Sequence, residues 1–229
     1  MPRLSLLALA VLITAGPAAA QSQPDDESGT YVMLQDVDLT VEDGDLLGYG
    51  VVGEVGRRFG GGLEAGLLAS YGSYRSGSVQ SAGWRLGLTS GLAHAAPLGT
   101  TLRFRGLASV GASHATSLEA NDFRATTLLG DLSATLGRSI PIIGSLRLEP
   151  SVGAYTQANQ TLGARGTGHF EGLPASRTRL GAGLQVELPV RFRVFGADAS
   201  VTTGLRRALL GNRAAGIGLV PGTGLRFDF

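Results

Sequence analysis

The stretch AGWRLGLTSGLA, Ala82–Ala93, decides the fold. Trp84, Leu86, Leu88 and Leu92 share one parity, while Gly83, Arg85, Gly87, Thr89 and Gly91 share the other. A period of 2 puts alternate residues on opposite faces of a strand, whereas a helix needs apolar residues at 3.6 spacing. The pattern recurs along the chain. Leu102, Phe104, Ala108 and Val110 oppose Arg103, Arg105, Ser109 and Gly111. Leu146, Leu148 and Val152 oppose Arg147, Glu149 and Ser151, and Leu180, Leu184, Val186 and Leu188 oppose Arg179, Gln185 and Glu187. The chain even ends on it, in GTGLRFDF, where Leu225, Phe227 and Phe229 alternate with Arg226 and Asp228. Soluble domains usually fray at their ends, so an apolar face there requires a strand that something holds.

The breaks between these segments take turns. RRFGGG, APLG, RSIPIIG and LPVR are tight and carry Gly or Pro; those near Ser76–Gln80, His114–Asp122, Gln157–Ser176 and Arg207–Ala214 are mostly longer and more polar. Short turns at one end and long loops at the other make an antiparallel up-and-down meander. The expected strands are 46–57, 63–75, 80–94, 100–113, 123–137, 145–157, 177–188, 193–206 and 215–229. Thr30–Val41, alternating in Val37, Leu39 and Val41, supplies a tenth. The expected fold is therefore all-β, a single antiparallel up-and-down barrel of ten strands, with eight as the alternative; the placement of charges and aromatics makes it a transmembrane β-barrel.

Composition narrows the function. Charged residues are 16% of the 229, well below the ~25% of soluble domains. All 19 basic residues are Arg, so phosphate-loop, Schiff-base and Ser-Lys chemistries are excluded. Cys is absent, which removes disulfides, thiolate nucleophiles and Cys-ligated zinc. A net charge of +1 gives no electrostatic reason to expect nucleic acid. Residues 1–20 read as a cleaved secretory signal: Arg3, an apolar Leu4–Ile13 run, and Ala18-Ala19-Ala20. Residues 21–29 form a polar leader, and the barrel occupies 30–229.

The direction of the alternation needs a further argument, because a soluble barrel and a membrane barrel alternate alike. The apolar parity is nearly free of charge within strands, its exceptions being His94, Arg124 and Arg138 at strand ends. On a lipid-exposed barrel face a charge costs ~2–4 kcal/mol at mid-membrane and ~0–1 near the interface, which would clear the middle and spare the rims. The other parity holds Glu54, Glu64, Arg85, Arg103, Arg105, Asp131, Arg147, Glu149, Arg179, Glu187, Asp198 and Arg226 among many Gly, Ser and Thr. Small residues inside a narrow bore leave room for these long side chains to pair. Counting back from the turns sets Arg105 across from Asp131, Arg147 across from Glu187, and Arg226 within reach of Asp36 or Asp38. Phe59, Phe104, Phe192, Phe195, Phe227 and Phe229 gather near the tight turns; Tyr49, Tyr71, Tyr74, Trp84 and Phe123 gather near the long loops. Two such belts match the aromatic girdles of a transmembrane barrel. Pro150 and Pro221 fall mid-strand, and each predicts a bulge or a break in the ladder.

With its signal, amphipathic strands, alternating turns and loops, and terminal Phe229, the chain resembles the small outer-membrane β-barrel proteins of Gram-negative bacteria, porin-like and OmpA-like barrels among them. The resemblance implies a place in the outer membrane. It also implies that the last strand, with Leu225, Phe227 and Phe229, is the signal read by the barrel-assembly machinery after passage by periplasmic chaperones. Outer-membrane lipids are the implied partners. No cofactor or metal is expected, and no extracellular ligand is named.

Enzymatic sites find little support. His114 stands beside Ser113, with Ser117 and Glu119 nearby, but adjacent residues of a strand face opposite ways, which disables a Ser-His pair. His169 and Glu171 lie in the longest, Gly-rich loop. GARGTG lacks the Lys and the helix of a nucleotide loop, and NQT at Asn159–Thr161 is a chance sequon in a bacterial barrel. The expected role is structural or surface-interacting, with a plugged lumen; a narrow pore for small solutes is the alternative, and a lipid A-modifying hydrolase comes third.

Overall fold

A computed structural model describes residues 28–40, 46–76, 79–96, 100–117, 122–168, 177–210 and 222–229. The signal, most of the leader, Pro221, His169 and Glu171 lie outside them. Among the described residues twelve strands form one sheet: β1 (Gly29–Thr40), β2 (Leu46–Arg58), β3 (Leu63–Ser76), β4 (Val79–Ala96), β5 (Thr100–Ser117), β6 (Asp122–Arg138), β7 (Ile140–Ile143), β8 (Leu146–Leu148), β9 (Ser151–Gly166), β10 (Arg177–Val194), β11 (Ala197–Leu210) and β12 (Gly222–Asp228). Each pairs antiparallel with its neighbours, and β12 lies between β11 and β1, which closes the sheet. The short β7 and β8 extend β6 and β9 past local breaks, so the closed barrel has ten staves. Gly29, counted with the leader above, already pairs with Arg58 in β1.

The breaks have physical causes. Pro150 separates β8 from β9, as its missing N–H predicts: Arg138 N donates to Pro150 O at 3.1 Å, and no reciprocal donor exists. Pro189 lies inside β10, where a tight turn at LPVR was expected. Its carbonyl accepts from Glu149 N at 2.8 Å, so its own missing donor falls on the seam that Pro150 already interrupts. The turn falls instead at Phe195-Gly196, between paired Val194 and Ala197. Both residues have positive φ, 51° and 86°, which is the two-residue hairpin geometry that matches strand twist. The long loop expected from Gln157 likewise shrinks, since β9 runs on to Gly166 and takes the NQT sequon into the sheet.

Burial is inverted relative to a soluble domain. Among the described residues the buried apolar ones are Tyr31, Leu68, Ala115, Ala125 and Ala199; twice as many buried residues are polar or charged, Glu54, Asp131, Glu149 and Gln185 among them. Outside, Leu67, Leu88, Leu132 and Leu180 are each more than 60% exposed. The apolar face is therefore the outer wall. Tyr49, Tyr71 and Trp84 stand exposed on it toward the loop end, and Phe59, Phe104 and Phe229 toward the tight turns. Strand β1 departs from its expected phase. Val32 pairs with Val55 and Phe227, and Leu34 with Leu225, so the even residues join the outer wall there, and Tyr31 turns inward.

Candidate functional site

The polar lumen is the site the fold builds. Its centre is Glu54 on β2, whose side chain is only 2% exposed. One carboxylate oxygen accepts from Tyr31 Oη and Thr89 Oγ1, both at 2.7 Å, and the other accepts from Arg105. Small neighbours make this possible. A Cβ on Gly56 would collide with the Tyr31 ring, and one on Gly66 would lie 2.8 Å from its hydroxyl. The two glycines thus form the seat of the Tyr31 ring.

A second group surrounds Glu64 near the tight-turn end. Arg226 donates to both its oxygens at 2.7 and 3.1 Å and also bonds Asp228, while Arg58 joins Glu64 to Asp228 at 3.1 and 3.0 Å. The Arg226 guanidinium lies 4.0 Å from the centre of the Tyr31 ring, which links the two groups. A third joins Arg103 and Arg191 to buried Glu149 at 2.7 and 3.0 Å. A fourth pairs Arg206 with Asp131 at 2.9 Å, with the Tyr155 ring 4.9 Å from the guanidinium.

The expected lumen set thus faces as the alternation requires at its centre, but its pairing differs. Arg105 lies opposite Ser133, and Asp131 opposite Leu107; Arg147 faces Arg191, and Glu187 faces Ser151. Arg226 is held by Glu64 and Asp228, and Asp36 sits opposite Thr223. Asp198 pairs with Arg193 at 3.0 Å beside the exposed hairpin tip, each more than half exposed. Among the described residues Arg85, Arg147, Arg179 and Glu187 have no ion-pair partner. Neighbouring-strand counting failed because the main pairs skip staves. Arg105–Glu54, Arg206–Asp131 and Arg226–Glu64 each join strands three staves apart, chords through the bore. Arg58, Arg191, Arg206, Tyr31 and Tyr155 complete the network; the inward parity of Arg58, Arg191, Arg206 and Tyr155 could have shown them.

The candidate hydrolytic pair does not assemble. His114 pairs with Arg124 on the outer wall, its Nε2 bonds Asp122, and the adjacent Ser113 belongs to the opposite face. His94 is exposed near the end of β4. No group of three or more His or acidic side chains that could hold a metal occurs among the described residues.

A closed, antiparallel, ten-stave barrel with an apolar wall and a charged bore is the class these features define. No family model and no curated protein matches the sequence. Among solved structures, the chain is similar to the translocator domain of the autotransporter NalP from Neisseria meningitidis, with TM-score 0.66, 12% identity, and coverage of 98% of this chain and 94% of that one. The β domain of the Bordetella autotransporter BrkA aligns with TM-score 0.46 and 13% identity over 89% of this chain and 99% of that one. CdiB from Acinetobacter baumannii aligns with TM-score 0.29 and 9% identity over 89% and 60%. The likeness to the NalP domain agrees with the all-β barrel fold.

Proposed function

We propose that the chain is an outer-membrane β-barrel protein with a structural or surface-interaction role, its bore closed by arginine–carboxylate pairs. The apolar wall supports the membrane placement: leucines this exposed in water forfeit ~25 cal/mol for each Å² left unburied. The single observation that carries the closed bore is the set of three chords, Arg105–Glu54, Arg226–Glu64 and Arg206–Asp131. Each places two side chains where a solute would have to pass. Lipids of the outer membrane are the standing partners. The barrel-assembly machinery and periplasmic chaperones act during biogenesis, read from the terminal Leu225, Phe227 and Phe229. The role is not enzymatic, and an unchanged lipid A mass spectrum in cells with and without the protein is the expected result.

One observation favours a second reading, a narrow pore. Arg103, Arg105 and Arg206 are between about 30 and 50% exposed, so water reaches their side of the network. Planar-bilayer recording decides between the two. Silence of the wild-type protein over many insertions, with steps appearing once Glu54 and Arg105 are both replaced by Ala, supports the closed barrel. Regular wild-type conductance steps overturn it. The similar Neisseria domain is a translocator; a polypeptide crossing the bore of this chain would have to break all three chords at once.

A further inference from the structure

The outer wall carries polar groups that an apolar surface does not require. Toward the loop end, Ala82 pairs with His114, His114 with Arg124, and Arg124 with Arg165. Directly paired residues of a sheet share a face, so His114, Arg124 and Arg165 stand side by side on β5, β6 and β9. Like charges in that arrangement repel. Arg165 is there because of a bulge: Thr127 pairs with Thr161, but Thr126 pairs with Gly163, leaving one extra residue in β9. Without it, the alternation through exposed Val152 and Leu162 would turn position 165 inward. The bulge therefore brings a second guanidinium to the row, beside that of Arg124.

Asp122 is the carboxylate that the described residues place in this row. It bonds His114 Nε2 and lies 3.2 Å from Arg124 Nε. Arg165 is exposed, and no described carboxylate pairs with it. Among the described residues positive charge is left in surplus. The row lines one end of a cleft of about 830 Å³, floored by Ala112, Thr126 and Gly163 and walled by Ala82, Tyr71 and Trp84. Tyr71 and Trp84 pair across β3 and β4, and each ring is about half exposed.

We infer that this cleft binds a membrane lipid whose headgroup carries an anionic phosphate. The phosphate sits on Arg124 and Arg165, and an acyl chain lies over the small-residue floor against Trp84. Guanidinium forks match phosphate oxygens in geometry and charge. A free phosphate would engage only the row and gain nothing from the small-residue floor of the cleft, so the two halves together select a lipid. The inference rests on the membrane placement proposed above.

The test uses the full mature chain, folded in zwitterionic detergent and examined by native mass spectrometry. Phosphatidic acid, diacylglycerol and inorganic phosphate are the probes. Phosphatidic acid should stay bound and diacylglycerol should not, with affinity falling about fivefold for each of R124Q and R165Q. Ala112→Phe, which fills the cleft floor, should weaken binding with the row intact. Arg57→Gln and Arg138→Gln, at the opposite rim, should leave binding unchanged. Equal retention of diacylglycerol, undiminished binding in R124Q/R165Q, or displacement of the lipid by equimolar inorganic phosphate each overturns the site. Heat-dependent gel migration of the same samples separates the two levels of failure. Folded wild type that retains no phosphatidic acid refutes the lipid site alone, whereas wild type without a heat-shifted form refutes the membrane barrel and the site with it. Should R124Q/R165Q not fold, R165Q alone, at an exposed position with no carboxylate partner among the described residues, carries the same comparison.

Discussion

Replacing Arg105 with Met removes the guanidinium that the structure sets against Glu54. The carboxylate would remain with two neutral donors, Tyr31 Oη and Thr89 Oγ1, at a side-chain exposure of 2%. Breaking a buried pair from one side costs about 3–5 kcal/mol, whereas exposed pairs are worth about 0–1. Arg105 is 47% exposed, so water in the bore replaces part of what it supplies. The expected loss therefore lies between these limits, at about 2–3 kcal/mol. Glu54→Gln should cost less, because the amide oxygen still accepts from both hydroxyls and the stranded Arg105 is already partly hydrated. The double variant E54Q/R105M leaves neither charge unpaired and should recover most of the R105M loss. Equilibrium urea unfolding in detergent, followed by tryptophan fluorescence of Trp84 and by heat-dependent gel migration, measures all four corners of the cycle. A double variant no more stable than R105M alone would refute the idea that an uncompensated Glu54 is the cause. So would an R105M loss below about 1 kcal/mol, the range of an exposed pair.

Other consequences are equally direct. Gly56→Ala should lower stability by about 1–3 kcal/mol, because its methyl displaces the Tyr31 ring and breaks the bond to Glu54; Tyr31→Phe in the same background should then cost almost nothing more. Deleting Phe229 removes the paired backbone bonds between Phe229 and Thr30, 2.8 and 3.1 Å, together with the ring stacked on Phe227. It should reduce the folded protein recovered from the outer membrane, and unchanged recovery would refute the terminal signal. Gly153→Ala should block folding outright, since its Cβ would run into the Ala134 carbonyl oxygen; a normal heat-shifted band would contradict the packing of β6 on β9.

Much of the barrel was legible because a strand's periodicity is local. The alternation of Trp84, Leu86 and Leu88 with Arg85 and Gly87 needs only neighbouring residues to be seen, and it gave ten staves and the inward parity of Glu54, Arg105 and Arg226. The first strand misled because its phase is set by partners: the alternation of Val37, Leu39 and Val41 in the sequence points to the odd residues as the outer face, yet the register with β2 and β12 aligns Val32 and Leu34 with the outer wall. The LPVR segment misled for a related reason. Proline marks a turn only where its missing donor matters, and at Pro189 the partner seam is already broken by Pro150.

The amino-acid sequence alone determined the ten staves, the polar and apolar faces of most of them, and the inward parity of Glu54, Glu64, Arg105 and Arg226. These depend on periodicity, which is written along one strand at a time. Only the closed structure decided which charges meet. Strands tilt in a barrel, so side chains cross the bore to staves that are neighbours in neither sequence nor hydrogen bonding. Arg105 therefore finds Glu54 rather than Asp131, and Arg226 finds Glu64. The row of His114, Arg124 and Arg165 has the same origin, since a single bulge in β9 turned the last of them outward.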